Sequence, residues 1–230
     1  MLQNGNFEGP FVEHKQYLPP HPLVGEYWVP WFIEGRDHGY PFRPEYKPEF
    51  HDQGSGRVLQ GNTAQKMFTT HAPHEGGFYQ VVSGLVAGKW YRFTGHVWIW
   101  SSEHNDPNVS RDPGKVLVAL GVNPWADPNP QSYQTLWGKG ALDKYDQWVQ
   151  LHCIFRAWGD RACLFTLSQP EYPVNHNDAY WDVFSLEPYN IEEPEPEPPP
   201  TGECRFVDNT QEILDALATA LEAGAAALRN

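Results

Sequence analysis

Between Trp90 and Trp100 the chain alternates strictly, and one side of that alternation carries residues suited to recognition. Arg92, Thr94, His96, Trp98 and Trp100 point one way, while Phe93, Val97 and Ile99 point the other. An aromatic ring stacks on the flat C–H face of a sugar, and neighbouring polar side chains take its hydroxyls. Glu103 follows at the strand's end, and Trp28 and Trp31 come from a loop that would overhang the same face. A plainer reading stands beside this one, because most large aromatics fill cores. For Trp98 and Trp100 both readings stand, since Phe93, Val97 and Ile99 already supply a core face. For Trp28 and Trp31 the loop position points to the site. Trp148, Trp158 and Trp181 read as structural.

Catalytic chemistry is harder to find. His71, His74 and Glu75, and His176 with Asp178, form partial metal motifs, but no helix brings the first pair of histidines to one face. Ten histidines spread over many loops produce such pairs by chance. The sequence holds no G-x-S-x-G, phosphate-binding loop or dinucleotide fingerprint. Glu13, Glu26, Glu34 and Glu103 are candidates for a hydrolytic carboxylate pair, whose separation sequence cannot measure. The chain therefore reads as a binding protein and not an enzyme.

A formal charge of −13 argues against nucleic acid and anionic membranes, leaving neutral ligands such as sugars open. No apolar run is long enough to span a bilayer. Met1 and Leu2 lead straight into polar turn residues without a signal peptide. The expected location is extracellular or on a cell or particle surface, reached through a trimmed signal or by another route. Cys153 and Cys163 flank an expected hairpin turning at Gly159-Asp160. That hairpin sets Cys153 opposite Thr166 and Cys163 opposite Arg156, on opposite faces and unable to bond. Cys204 stands alone in the tail, as a free thiol or an interchain partner.

The elements that must position these residues are β-strands. Twenty glycines and 22 prolines imply many turns, and helical periodicity is absent from residues 1–189. Strands are expected at 57–59, 64–70, 77–82, 90–100, 115–122, 148–157, 162–168 and 179–186. Residues 9–56 read as a long irregular loop packed on the domain. The predicted fold is an all-β, antiparallel two-sheet sandwich over residues 1–189. An acidic Pro-rich spacer follows over 190–203, then a C-terminal helix within 204–230. Leu214, Leu221 and Leu228 recur on a heptad seam with Ala218 and Ala225. Self-association into a homo-oligomer is the preferred reading of that seam, and docking on the domain or a partner the other.

Two terminal motifs add a resemblance. Asn4-Gly5-Asn6-Phe7-Glu8 opens the chain, and Tyr180-Trp181-Asp182-Val183-Phe184-Ser185-Leu186 forms the last strand of the body. Together they resemble the carbohydrate-binding modules with a galactose-binding-domain-like jelly-roll fold. The resemblance implies a polysaccharide or glycan partner. It also implies a structural calcium held by Glu8 and Asp182, although Val183 stands where that family often has a second acid. The expected function is a non-catalytic carbohydrate-binding module, presented in several copies through its helix. The alternative is a structural or assembly protein of a surface, appendage or virion, using the sandwich as a decorating unit.

Overall fold

The computed structural model describes residues 1–35 and 41–190, and every regular element among them is a strand. In chain order these are β1 (Phe11–Glu13), β2 (Leu23–Gly25), β3 (Val29–Ile33), β4 (Glu45–Phe50), β5 (Thr63–Thr69), β6 (Glu75–Ser83) and β7 (Trp90–Ser102). Then follow β8 (Val116–Asn123), β9 (Leu136–Trp137), β10 (Ala141–Leu142), β11 (Trp148–Arg156), β12 (Arg161–Pro170) and β13 (His176–Pro188). One sheet has the order β10-β8-β12-β6-β3, with β9 also on β8; the other has the order β11-β7-β13-β5-β4. β1 and β2 form a separate ribbon. All these pairings are antiparallel, so the body is the expected sandwich. The linker, the C-terminal helix with Leu214, Leu221 and Leu228, and Cys204 lie outside the described residues.

Alternation places the core as it was read. Phe93, Val97 and Ile99 of β7 meet Val116, Val118, Leu120 and Val122 of β8 between the sheets. Trp181, Phe78, Leu164 and Phe7 complete that layer. A register shift between Asp182 and Ser185 interrupts β13, with Val183 at φ 50. In an unbroken strand, residues 182 and 184 would share a face. The bulge separates them, so Asp182 faces outward while Phe184 enters the core. There Phe184 stacks on Phe93 at 5.6 Å and lies 5.2 Å from Trp28. Its ring occupies the space above Gly95, where an added Cβ would sit 2.2 Å from it.

Three expectations need correction. Residues 9–56 are not one loop, because β3 and β4 form an edge of each sheet. Both carry proline, Pro30 and Pro48, which edge strands tolerate because one row of their amides makes no ladder bond. Residues 57–59 form no strand. Cys153 and Cys163 do not share a hairpin: Cys153 pairs with Phe93 in one sheet, and Cys163 lies between Val81 and Asn123 in the other. Both thiols are free and buried, and burial pushes Cys153 up to about 12.

His74 ties the sheets at one end. The Thr69 hydroxyl donates to the Ala72 carbonyl and so accepts from His74 Nδ1 at 2.9 Å, while His74 Nε2 accepts from Ser168 at 3.0 Å. This is a neutral imidazole, and complete burial lowers its pKa to about 3.

Two outcomes follow from this packing. Gly95→Ala should destabilise by about 1–3 kcal/mol through overpacking, and Phe184→Leu in the same chain should recover part of the loss; an unchanged midpoint for Gly95→Ala would refute the close approach. For His74, protons bind the unfolded chain more readily than the folded one between the two pKa values. Its contribution is therefore full above about 6.5 and lost as pH falls toward about 3. The melting midpoint of His74→Asn should thus fall less than that of the wild type on acidification, and parallel curves would count against a buried neutral imidazole.

Candidate functional site

The outer face of the five-stranded sheet carries a cleft of about 740 Å³. Its floor is a row of side chains set by register. Trp148 on β11 pairs with Trp98 on β7, Trp98 with Tyr180 on β13, Tyr180 with Lys66 on β5, and Lys66 with Lys47 on β4. Five strands thus contribute one residue each, and adjacent strands about 4.8 Å apart make the row about 19 Å long. Trp98 and Trp148 meet edge to face at 6.0 Å. Trp100 flanks the row and stacks on His176 at 4.2 Å. The indole N–H groups of Trp98 and Trp100 have no protein acceptor.

Two segments wall the cleft. One is a strap, residues 51–62, that joins β4 to β5 without regular structure. Glu49 Oε1 accepts from the Ser55 amide and hydroxyl, both at 2.7 Å, and from the Gly56 amide at 3.0 Å. Asp182 Oδ2 accepts from the amides of Leu59 and Gln60 at 2.9 and 3.0 Å, and its Oδ1 from Val183 at 2.7 Å. Glu8 accepts from the Asn62 and Thr63 amides at 2.8 and 2.9 Å, just past Gly61 at φ 81. The other wall, around Pro107 and Asn108, is held by Asp146, which accepts from the amide and hydroxyl of Ser110.

The strap sets Arg57 over the floor. Its guanidinium lies 5.6, 5.2 and 5.0 Å from the ring centres of Trp98, Trp100 and Tyr180. It donates to Tyr180 Oη at 3.2 Å and to the Pro107 carbonyl. Below it Lys66 Nζ pairs with Asp178 at 2.5 Å, and Tyr180 donates to the same carboxylate. Burial lowers the Lys66 pKa, but Asp178 and Tyr180 outweigh it and raise the net value. Lys47 sits over Phe68 at 4.6 Å.

Glu8 and Asp182 meet the same strap, and their charges differ in ease. Burial pushes Asp182 up to about 6 against its amide donors, and the Glu8 charge adds to the rise. Glu8 is less buried, and its Asn62 and Thr63 donors outweigh the burial to lower its value. Calcium takes six to eight oxygen ligands. Here amide hydrogens are directed at both carboxylates, an arrangement that does not fit a calcium cage.

The expected site residues divide. Trp98 and Trp100 line the cleft, together. Trp28 and Trp31 do not reach it. Trp28 is 1% exposed and packs in the main core, its indole donating to Asn4. Trp31 closes a smaller cluster with Cys163 and Phe165 on the other sheet, donating to Thr166. Trp31 was misplaced because a short Pro-containing strand reads as loop, whereas Trp28 does lie between β2 and β3 but turns its ring into the core. Arg92 lies along β7 beside Glu187 and Tyr189; His96 bonds the Val183 carbonyl; Glu103 accepts from the Asn175 amide. None of these three lines the cleft. Trp148, read as structural, is part of the floor, and Trp158 is exposed beside Trp125 at 5.4 Å. Tyr180 was within reach of sequence reasoning, since it shares outward parity with Asp178 and Asp182. Arg57, Lys66 and Lys47 had no local signal.

No protein-family model and no curated protein matches the sequence. Solved structures do. TmCBM61, determined with beta-1,4-galactotriose, aligns over 82% of this chain and 97% of its own at 15% identity, with a TM-score of 0.50. The CBM22-1 xylan-binding domain of Paenibacillus barcinonensis Xyn10C aligns over 81% and 93% at 12% identity, with a TM-score of 0.45. The enzymatically active domain of tailspike protein 4 of bacteriophage CBA120 aligns over 82% of this chain and 21% of its own, at 7% identity and a TM-score of 0.48. Identity at this level speaks of fold alone: residues 1–190 form a β-sandwich similar to that of TmCBM61.

Proposed function

We propose that this sandwich is a non-catalytic module that binds an extended carbohydrate across the outer face of its five-stranded sheet. The observation that carries the reading is the in-register pair Trp148 and Trp98, both partly exposed, under an open cleft. Two partly exposed rings on neighbouring strands offer stacking positions to adjoining sugars, while Tyr180, 1% exposed beneath Arg57, supports them from the side. The likeness to TmCBM61, a protein solved with a galactotriose, agrees with this reading of the fold. Hydrolysis would need an acid and a second carboxylate free to act. Glu49, Asp146 and Asp178, the carboxylates in or under the cleft, are each engaged with neighbours. The module would work outside a cell or on a particle, in copies joined by the helix expected over 204–230. Comparing the size of the full chain in solution with that of residues 1–190 would reveal whether that helix assembles it.

The same proposal assigns Glu8, Asp182 and Glu49 to closing the strap by hydrogen bonds alone, in place of the calcium that the resemblance implies. Hydrogen bonds to charged groups contribute about 1.5–3 kcal/mol each, and a lost acceptor leaves donors unpaired.

Titration against a polysaccharide panel tests the binding reading. Trp98→Ala and Trp148→Ala should each weaken binding about tenfold or more, about 1.4 kcal/mol, with the melting midpoint preserved. Trp158→Ala should bind as the wild type does; loss in that variant alone would move the site to the exposed Trp125–Trp158 pair. For the strap, melting with calcium and with a chelator should give one midpoint, and Asp182→Ala should lower it. A midpoint raised by calcium would restore the ion.

A further inference from the structure

Three cations line the cleft, Lys47, Arg57 and Lys66, and two of them stand outside any ion pair among the described residues. Arg57 and Lys47 have no carboxylate partner among the described residues, whereas Lys66 is paired with Asp178. The nearby carboxylates are engaged elsewhere: Glu49 with Ser55 and Gly56, and Asp146 with Ser110. Arg57 has five N–H donors and gives them only neutral acceptors, Tyr180 Oη and the Pro107 carbonyl. Most of the Arg57 donors are thus left over for a ligand.

Such a surface discriminates between ligands. A sugar hydroxyl both donates and accepts, so an unpaired guanidinium answers only half of its bonding. A carboxylate or sulfate only accepts, carries the opposite charge, and takes an arginine fork in two parallel bonds. The unpaired cations are notable in a chain of net charge −13. That charge is not spread evenly: nine of the 29 acidic residues but only two of the 16 lysines and arginines lie beyond residue 190. The local field of a cleft, and not the distant total, governs a bound anion within a screening length of about 8 Å.

We infer that the ligand of this cleft is an anionic polysaccharide, its rings stacked on Trp98 and Trp148 and its acid group held by Arg57 and Lys47. This rests on the carbohydrate reading above and narrows it. Arg57 already covers the aromatic floor, so an acid group arriving there takes up a cation that is in place and lacks a counter-charge. Lys47 extends the cationic end of the row on the exposed edge strand.

The test pairs each charged polymer with a neutral counterpart of the same backbone. Polygalacturonate and alginate are titrated beside their carboxyl-reduced forms, and dextran sulfate beside dextran, using the full chain. At least one acidic polymer should bind about tenfold more tightly than its counterpart, with affinity falling as salt is raised. Lys47→Gln, on an exposed side chain that leaves the fold intact, should remove most of that difference, and Arg57→Gln should remove it while binding of the neutral polymers is retained. Preference for the uronates assigns a carboxylate, and preference for dextran sulfate a sulfate ester. Equal or tighter binding of neutral polymers overturns this inference and leaves the carbohydrate reading standing. Binding to no polymer, charged or neutral, overturns both.

Discussion

The site depends on backbone amides that have no strand to pair with. The strap from 51 to 62 crosses the sheet face without regular structure, and its N–H groups need acceptors other than a ladder. Three carboxylates supply them from distant places: Glu8 in the first segment, Glu49 on β4 and Asp182 on β13. Each acceptor is charged, and each bond fixes a stretch of main chain beside the residues that line the cleft. Arg57 lies between the Glu49 and Asp182 anchors, so its place over the rings follows from backbone tethers on both sides. The acids near the cleft thereby become scaffolding, with Glu49 and Asp182 bonded to the strap and Asp146 to the opposite wall.

The bulge in β13 makes that division possible. Val183 takes a left-handed conformation that β-branched residues resist, which is tolerated because both flanking side chains are held. Asp182 is held by strap amides on one side of the sheet, and Phe184 by five aromatic neighbours in the core. Gly95, beneath Phe184, leaves the room that the inserted ring requires.

How much of this was legible in the sequence follows from the range of each signal. Alternation is local, so the core face of β7 and the sandwich itself could be read from spacing. Edge strands were hidden, because Pro30 and Pro48 mimic loop text while being compatible with an unpaired row of amides. Trp31 was lost with them. The thiols came out free as expected, but for another reason, since the segment between them passes from one sheet to the other. The floor itself is a matter of register between strands far apart in the chain. Trp98 was visible, but its neighbours Trp148 and Tyr180 are set by pairings that no spacing encodes. Arg57 stood in a stretch expected to be a strand, and only its distant acceptors show why it is not one.

The position of β13 has a consequence for biosynthesis. It is the latest strand in the described chain, yet it lies in the middle of its sheet, between β7 and β5. Until the ribosome has released residues 176–188, those two strands have open edges facing one another and the core lacks Trp181 and Phe184. Pairings so remote in sequence form slowly. A nascent chain can assemble the six-stranded sheet early, since β12 precedes the last strand, but the cleft waits for completion. A complete cleft thereby becomes a mark of a finished molecule, and an interrupted chain exposes two unpaired edges in its place.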